Sequence, residues 1–378
     1  MARTDAEILG REDVNDLDAI LELTNTDMDE AIHVVKNNAD SIFTWDYERS
    51  RVPLMKLYEK AKTSMWNGET DLDWSIEVDN EKLARENPLT PTVEGIAELG
   101  IDLSGTVLAK WTNDDWVKFE IERINWSLSQ FMHGEQGALV CTAKIVETVP
   151  WIDAKYYAAT QVMDEARHVE VFAKYLDTKL EGHYAINHHL KMLLDDIVED
   201  SRWDMTYLGM QIMVEGLALA AFGMAHQTTG DPLLKQLLRY VMSDEARHVA
   251  FGVLTLKEYY EGLTSAELLD RQEFAFEAAV RMRDRFLQQE VWERLGVPVR
   301  DAIRVFKQDD PEIKNQDPFQ QLLFSKIVPN CKKLGLLDAN DGWLRKRFDT
   351  LGVTQFEDWA DTSEEYELLD AVAEDRAS

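Results

Sequence analysis

The pentapeptide Asp-Glu-Ala-Arg-His occurs twice in the chain, at 164–168 and at 244–248, and the two copies are 80 residues apart. In each copy a glutamate precedes a histidine by three residues, and residues at that spacing share one face of an α-helix. Glu165 and His168 can therefore reach one common point, as can Glu245 and His248. A fold for this chain has to bring these polar pairs into surroundings that satisfy them.

Long helices are predicted between Asn113 and about Leu295, because Gly and Pro are sparse there and apolar residues recur at a spacing of three to four. We expect four helices at about 114–148, 152–181, 203–228 and 233–261, with a shorter helix between the second and third. Residues 87–107 contain Pro, Gly, Thr and Ser and are expected to form a loop. No segment has a convincing strand pattern, so we predict an all-α fold.

A carboxylate lies in the middle of the apolar stripe of each of the four helices. These carboxylates belong to Glu135, Glu165, Glu215 and Glu245. A lone buried charge is costly, so each must be protonated, paired or bound to a metal. The first two are 30 residues apart, the last two are also 30 apart, and the equivalent positions are separated by 80. The chain thus repeats a helix pair that supplies one Glu and one Glu-x-x-His. Antiparallel hairpins about a pseudo-twofold axis would place all these groups in one bundle core.

Carboxylate oxygens and imidazole nitrogens suit iron or manganese better than zinc. Four carboxylates neutralise two divalent ions, so the charge count predicts two metals. The predicted metal ligands are Glu135, Glu165, His168, Glu215, Glu245 and His248. The alternative is a set of buried Glu–His and Glu–Arg networks without metal.

With these residues, the stretch from about 113 to 262 resembles the ferritin-like dinuclear iron carboxylate superfamily, in its oxygen-activating branch. That branch includes monooxygenase hydroxylases, acyl-carrier-protein desaturases, and ribonucleotide reductase small subunits with their oxidase relatives. The resemblance implies a ferritin-like four-helix bundle at 111–296. It implies an N-terminal helical extension at 1–110 that packs on this core, and a C-terminal helical extension with an acidic tail at 297–378.

The residues beside the predicted ligands are expected to support them. Asp164 and Asp244 directly precede the ligand glutamates, and Arg167 and Arg247 directly precede the histidines. A metal-bound histidine usually donates its other N–H to a carboxylate. The resemblance to the hydroxylases implies that each Asp serves the histidine of the other repeat and that the Arg side chains pair with the Asp side chains.

Several positions depart from the patterns of individual subfamilies. Phe172 stands where radical-storing reductase subunits have a tyrosine, and Leu219 stands where hydroxylases have a threonine. Val241 replaces the additional histidine of the N-oxygenases. Cys141 and Cys331 are too few for the four-cysteine iron centre of rubrerythrin-like peroxidases. The sequence therefore assigns no subfamily, and no catalytic residue beyond the metal ligands is identified.

Small residues follow Glu215 in "GLALAAFGMA", and an apolar substrate pocket is predicted beside the metals. Its expected lining is Leu139, Phe172, Ala218, Leu219 and Phe222. Tight helix packing on small side chains is the alternative interpretation. His133 lies on the opposite helical face from Glu135, and His226 lies about three turns from Glu215, so both are interpreted as structural.

The predicted function is that of a non-haem di-iron oxidoreductase, a monooxygenase or desaturase, with O₂ as co-substrate and two iron ions that cycle between Fe²⁺ and Fe³⁺. Its substrate would be an apolar or amphipathic small molecule. Electrons would come from a separate reductase or ferredoxin, because the sequence has no flavin, nicotinamide or iron–sulfur motif. The alternatives are a manganese/iron ligand-binding oxidase, and a metal-handling or peroxide-scavenging protein without an organic substrate.

Charge and composition limit the location and partners of the chain. The net charge of -31 disfavours nucleic acid and anionic membranes as partners. Two cysteines form no disulfide framework, the N-terminus has no secretory signal, and the most apolar stretch, 216–225, is too short to span a bilayer. We expect a cytoplasmic homodimer with no membrane span, and an acidic C-terminal end that frays.

Overall fold

The computed structural model describes residues 2–24, 32–180, 182–306 and 318–362. Within these ranges every regular element is helical and no strand is present, which confirms the predicted all-α fold. The acidic C-terminal end that was expected to fray lies outside the described residues, from 363 onward.

The α-helices of the described ranges are numbered in chain order. They are α1 (Asp5–Leu9), α2 (Leu17–Leu21), α3 (Val52–Thr63), α4 (Asn80–Glu86), α5 (Val93–Glu98), α6 (Asn113–Thr148), α7 (Ile152–Lys179), α8 (His188–Glu199), α9 (Trp203–Tyr207), α10 (Glu215–Thr228), α11 (Pro232–Tyr260), α12 (Ser265–Asp284), α13 (Gln289–Arg294), α14 (Val299–Phe306), α15 (Pro318–Lys333) and α16 (Ala339–Thr350). A π-helical segment, Leu208–Val214, joins α9 to α10 without a break, and short 3₁₀ turns lie at Val107–Lys110, Arg285–Leu287 and Thr354–Phe356.

Helices α6 and α7 form the first hairpin of the bundle. Thr112 begins α6 with a capping box, in which its N–H and hydroxyl both donate to Asp115 Oδ2, at 2.9 and 2.8 Å. The helix ends before Pro150, which cannot continue the helical hydrogen bonds. A three-residue connection then starts α7, so the two helices run antiparallel along their length.

Helices α10 and α11 form the second hairpin. Asp231 caps α11 by accepting hydrogen bonds from the backbone N–H groups of Leu233 and Leu234, at 2.9 and 3.2 Å, and Pro232 occupies the first helical position. The Tyr175 hydroxyl of α7 donates to Asp231 Oδ2 at 2.5 Å. This buried bond ties the first hairpin to the turn of the second.

The π-helical segment Leu208–Val214 was not predicted, because the sequence indicates an uninterrupted α-helix from 203 to 228. A π-helix bonds each N–H to a carbonyl five residues back, which inserts extra residues into the helix and changes the direction of the next helical turns. All residues of the segment are buried, and it ends immediately before Glu215. The segment therefore sets the register at which Glu215 enters the bundle core.

The other helices cover the bundle. Helix α3 packs on α7 and α11, α15 packs on α10, and α16 packs on α12. The run Trp203–Thr228 is long and apolar enough to cross a membrane by composition alone, but 72% of its most apolar window is buried inside the protein. It is a core helix of the bundle.

The predicted domain limits at 110 and 296 stay a prediction.

The loop expected at 87–107 is partly helical, so that prediction was wrong over α5. The Thr92 hydroxyl accepts a hydrogen bond from the Gly95 N–H at 3.0 Å and begins the helix. Gly100 lies just after its end with φ of 70°, a left-handed conformation that glycine adopts without strain.

Candidate metal centre

Six side chains from the two hairpins meet in the middle of the bundle, and all are buried. They form two groups in which one ligand atom per residue lies within 4.8 Å of the others. The first group is Glu135, Glu165, His168 and Glu245, and the second is Glu165, Glu215, Glu245 and His248. The structure thus brings together all six side chains that the sequence predicts as ligands. Glu165 and Glu245 belong to both groups, so these two carboxylates are placed to bridge.

Both histidines direct the same ring nitrogen at the carboxylates. His168 Nδ1 lies 3.1 Å from Glu245 Oε1 and 3.2 Å from Glu135 Oε2. His248 Nδ1 lies 3.0 Å from Glu165 Oε1. The two Nε2 atoms therefore point away from the carboxylates and are available to other partners.

Those partners are the aspartates of the opposite repeat. The His168 Nε2–H donates to Asp244 Oδ2 at 3.1 Å, and the His248 Nε2–H donates to Asp164 Oδ2 at 3.3 Å. A carboxylate behind a ligand histidine fixes the ring and its tautomer, and leaves Nδ1 free to bind metal. This crossed arrangement is the one expected from the doubled motif.

The arginines join the two aspartates into one network. Arg167 Nη2 donates to Asp164 at 2.5 Å and to Asp244 at 2.9 Å. Arg247 Nη2 donates to Asp244 at 2.5 Å and to Asp164 at 3.4 Å. Two buried carboxylates are thereby matched by two guanidinium groups, so this outer ring is close to electrically neutral and rigid.

Trp66 adds a hydrogen bond to the Asp244 half of the network, and the sequence did not predict this contact. Its indole N–H donates to Asp244 Oδ2 at 2.8 Å, and its ring stacks on Tyr240 with centroids 4.9 Å apart. The Arg167 guanidinium lies over the same indole, 4.6 Å from the centroid. Trp66 precedes Asp244 by 178 residues, and no local pattern in the sequence could link the two.

Burial and charge together hold protons in the cluster when metal is absent. Burial raises the pKa of Glu135 and of Glu215 well above their usual range, and neighbouring carboxylates raise both further. Burial alone would lower the pKa of His168, but its bonds to Asp244 and Glu135 raise it well above the usual value. Divalent cations would replace these protons, since metal ligands bind in their deprotonated forms.

The donor atoms fit a pair of divalent ions. Glu165 Oε2, Glu215 Oε2, both carboxylate oxygens of Glu245 and His248 Nδ1 are buried and make no hydrogen bond of good geometry among the described residues. His248 Nδ1 and Glu245 Oε1 are close to the opposing nitrogen or oxygen atoms, at 3.0 and 3.1 Å, but are not aligned with them for a hydrogen bond. Unsatisfied buried anions are strongly unfavourable, and coordination to cations would satisfy each of these atoms. Oxygen-rich coordination with one imidazole in each group suits iron or manganese.

The two groups are not equivalent. Gln161 donates from Nε2 to Glu165 Oε1 at 3.0 Å and to Glu215 Oε1 at 2.9 Å. The equivalent position of the second repeat is Val241, which cannot donate a hydrogen bond. The Glu215 side of the site therefore carries a buried amide that the Glu135 side lacks.

The repeats also differ one turn after each histidine, at Phe172 and Gly252. Phe172 is completely buried and stacks on Phe222, with ring centroids 5.8 Å apart. At Gly252 a Cβ would stand 2.6 Å from Gln211 Cβ, far inside van der Waals contact. Glycine at this position lets α11 approach the π-helical segment.

Two cavities lie near the candidate ligands, and one of them touches these side chains. A small one, of about 20 Å³, is bounded by Glu135, Glu215 and Glu245 and by apolar side chains that include Ala218 and Phe222. A larger one, of about 300 Å³, extends away from the ligands toward α4 and the turn before α11. Phe131 and Arg285 line both.

The cavity wall differs from the expected one. Ala218 and Phe222 line the small cavity, whereas Leu139, Phe172 and Leu219 line neither of the two. Phe172 instead supports the Phe131 and Phe222 rings from behind. Sequence reasoning missed Phe131 as a shared wall, and it missed Arg285 because this residue lies outside the four core helices.

The other histidines considered from the sequence stand apart from the cluster. His133 Nε2 lies 2.9 Å from the Tyr184 carbonyl oxygen, to which it donates on the far side of α6. His226 lies half-buried near the end of α10 and belongs to neither ligand group.

Comparison with known proteins gives limited similarity. No protein-family model matches the sequence, and no curated protein sequence matches it. Solved structures of R2-like ligand-binding oxidase are among those to which the chain is similar. One with an aerobically reconstituted Mn/Fe cofactor has 17% identity over 77% of this chain and 94% of that chain, with a TM-score of 0.48. A variant with an anaerobically reconstituted Mn/Fe cofactor has 17% identity over 77% and 95%, with a TM-score of 0.47.

The helical bundle and its buried carboxylate–histidine cluster fit the ferritin-like dinuclear carboxylate superfamily, in which two helices each supply a Glu and two supply a Glu-x-x-His.

Proposed function

We propose that the chain is an oxidoreductase that activates O₂ at a dinuclear non-haem iron centre and oxidises an apolar or amphipathic organic molecule. The observation that carries this proposal is the pair of four-residue ligand groups that share Glu165 and Glu245 in a buried site. A small cavity touches three of the candidate ligands, and a larger one, which shares Phe131 and Arg285 with it, supplies space for the body of a substrate.

Each metal position would have its own terminal ligands. Glu135 and His168 would hold one ion, Glu215 and His248 would hold the other, and Glu165 and Glu245 would lie between them. When bound, the two iron ions supply the redox chemistry with O₂, which no amino-acid side chain provides.

The protein's contribution is orientation and the exclusion of water. Asp164 and Asp244 hold the histidine rings so that Nδ1 faces the carboxylates, while the arginines balance the charge of these aspartates. The small cavity at Glu135, Glu215 and Glu245 has room for about one water-sized molecule, and its other walls are largely apolar. Such a site favours reaction of a bound substrate over reaction with solvent.

Electrons would come from a separate reductase or ferredoxin, a proposal supported by the lack of any flavin, nicotinamide or iron–sulfur motif in the sequence. We also propose that the protein acts in the cytoplasm as a homodimer. A reducing compartment agrees with the two cysteines, Cys141 and Cys331, which are both free and buried.

A second candidate is a manganese/iron oxidase, in which the two positions hold different metals. The observation that favours it is the inequivalence of the two groups, since Gln161 donates to Glu215, which belongs to one group, and to the shared Glu165, whereas the equivalent position in the second repeat is Val241. A neutral amide donor changes the charge density on those oxygens, which is one way in which a protein distinguishes two otherwise similar metal positions.

A single-turnover experiment tests the proposed function. Protein loaded anaerobically with two equivalents of Fe²⁺ is mixed with O₂ and followed by visible absorption. Activation of O₂ predicts a transient band that forms and decays within one turnover and decays faster when a substrate is present. Iron that is oxidised without a transient, and that accumulates beyond two ions per chain, would instead identify a metal-handling protein.

A further inference from the structure

Arg285 is a buried cation that pairs neither with the candidate metal ligands nor with the aspartates and arginines that support them. The side chain is 3% exposed and lies in the 3₁₀ turn after α12. Its Nε has no hydrogen-bond partner among the described residues, and Nη1 makes a long contact of 3.7 Å to Met282 Sδ, a weak acceptor. Among the described residues, no carboxylate lies within ion-pair distance of this guanidinium. Burial lowers its pKa to about 10, which still leaves it charged at neutral pH.

The other charged groups of the larger cavity are already matched. Glu120 accepts two hydrogen bonds from Arg123, both at 2.7 Å. Asp231 accepts from the Tyr175 hydroxyl and from the first amides of α11. The Arg285 guanidinium lies over the Phe286 ring, 4.9 Å from its centroid, but it is the charged group of this cavity that lacks an anionic partner in the described part of the chain.

One acidic residue near Arg285 could balance it from a distance. Glu290 favours the charged form of Arg285 through space, but it is not among the direct partners of the guanidinium. The Glu290 carboxylate accepts hydrogen bonds from the Trp126 indole at 2.9 Å and from the Asn187 amide at 2.8 Å. The donors of Arg285 therefore remain available to a ligand.

Arg285 lies between the larger cavity and the candidate metal ligands. The side chain lines both cavities, and the small one reaches Glu135, Glu215 and Glu245. With two divalent ions bound, the four ligand carboxylates are neutralised, and the charge of Arg285 remains. The larger cavity offers apolar walls from Leu128, Phe131, Ala221 and Leu234.

We propose that Arg285 binds the carboxylate of an amphipathic substrate, with the apolar body of that substrate in the larger cavity. Arginine pairs with a carboxylate through two parallel hydrogen bonds, and a single buried guanidinium matches one negative charge. A dianionic phosphate would leave its second charge unpaired beside the carboxylates of the small cavity. The role of this ligand as a substrate rests on the proposed function, whereas its binding at Arg285 does not.

Calorimetric titration of the full-length protein, loaded with Mn²⁺ and also metal-free, tests the proposal with three ten-carbon probes. These are decanoate, decan-1-ol and decyl phosphate. Wild-type protein is expected to bind decanoate about 10- to 100-fold more tightly than decan-1-ol, the range given by a hydrogen-bonded charged pair. Decyl phosphate is expected to bind more weakly than decanoate. Equal affinity for acid and alcohol, or tighter binding of the phosphate, overturns the carboxylate assignment.

Three variants locate the binding to Arg285. Arg285→Met removes the charge at similar length and is expected to abolish the preference for decanoate, and Arg285→Lys is expected to retain part of it. The double substitution Glu120→Gln with Arg123→Met removes the other guanidinium of the cavity together with its partner and should leave the preference unchanged. If Arg285→Met binds decanoate like wild type, or if only the double variant loses it, the proposal fails.

Thermal melting and metal content of each variant separate the possible causes. A destabilised Arg285→Met protein with an unchanged preference for decanoate would identify the guanidinium as a counter-charge for Glu290. Wild-type protein that binds decanoate through Arg285 but takes up no iron or manganese would contradict the proposed function and leave this binding site intact. Metal uptake without decanoate binding would contradict the binding site at Arg285 and leave the proposed function intact.

Discussion

At the scale of single residues, Glu165 and Glu245 are the two side chains that belong to both candidate ligand groups. We predict that Glu165→Ala or Glu245→Ala lowers the metal content from about two ions to fewer than about one per chain, since both positions lose a ligand. Metal analysis of protein from iron-replete and manganese-replete cells measures this. Glu170→Ala, an exposed glutamate on the same helix as Glu165, is the control and should leave the content unchanged.

The aspartates behind the histidines permit a second prediction. Asp244→Asn weakens the hold on His168 and removes a buried negative charge, so we expect metal affinity to fall about 10- to 100-fold. Trp66→Phe removes one hydrogen bond to Asp244 and leaves its carboxylate in place, so the loss should be smaller. Competition with a chelator of known affinity gives both values. An Asp244→Asn protein with wild-type affinity would show that the histidine needs no such support.

A buried histidine away from the metal site predicts a dependence of stability on pH. His189 is 1% exposed, its Nε2 lacks a hydrogen-bond partner within the described ranges, and burial lowers its pKa to about 4. The unfolded chain, with a histidine pKa of about 6.5, therefore binds a proton that the folded protein does not, and stability falls as the pH drops from about 6.5 toward 4.

His189→Leu removes this proton-binding difference. Between pH 7 and pH 5 we expect the variant to lose about 2 kcal/mol less free energy of unfolding than wild type. Urea denaturation of metal-free protein at the two pH values measures the difference. Parallel losses in both proteins would show that His189 is protonated in the folded state.

At the scale of elements, the approach of α11 to the π-helical segment fixes the register of Glu215. A Cβ at residue 252 would stand 2.6 Å from Gln211 Cβ, so Gly252→Ala must push the segment away. We expect a loss of about 1–3 kcal/mol in the free energy of unfolding, as overpacking usually costs, together with a lower metal content. Denaturant titration and metal analysis measure the two effects.

The matched control for that substitution is Gly134→Ala, on α6 beside Glu135. A Cβ there has no atom within 4 Å, and alanine favours the helix by about 1 kcal/mol over glycine. This variant should be as stable as wild type or more stable. If both glycine variants behave alike, the close approach at residue 252 has no role in holding the segment.

Elements differ in how far the sequence predicts them, for physical reasons. The long helices were predictable within a few residues, because apolar periodicity persists over many turns and Pro150 and Asp231 mark the ends. The π-helical segment was not, since it keeps the apolar character of the helix around it and results from tertiary packing. Helix α5 was missed because its Thr and Gly residues, typical of loops, act here as the N-cap and as the residue that ends the helix.

At the scale of the whole molecule, the charge of -31 acts on stability. The chain has 71 acidic and 40 basic side chains, so repulsion among the excess acidic groups outweighs attraction between opposite charges. Salt screens this repulsion, because the Debye length falls from about 10 Å at 0.1 M salt to about 3 Å at 1 M. We therefore predict that the melting temperature rises between 0.05 and about 1 M KCl. Calorimetry of metal-free protein, with sucrose at matched osmolality as the control, measures it. A melting temperature that falls steadily with salt would mean that surface ion pairs outweigh the net repulsion.

Tertiary packing of the whole molecule determines those parts of the site that the sequence did not predict. The six candidate ligands were predicted from local spacing and from burial on helical faces, and the structure brings these side chains together. Trp66 and Arg285 reach the site from segments outside the bundle, and their positions depend on how those segments pack. The shape of the cavity likewise depends on Phe131. The apolar periodicity of the sequence predicts that this side chain is buried, but it does not show that the ring lines a cavity.

Anomalous X-ray diffraction from crystals of the metal-loaded protein, recorded at the iron and manganese edges, tests the central claim most directly. The account predicts two peaks per chain inside the bundle, one among Glu135, Glu165, His168 and Glu245 and one among Glu165, Glu215, Glu245 and His248. Iron at both peaks supports the di-iron proposal, and manganese at one of them supports the mixed-metal candidate. A loaded crystal with no peak among these six side chains, or with peaks only elsewhere, would contradict the account.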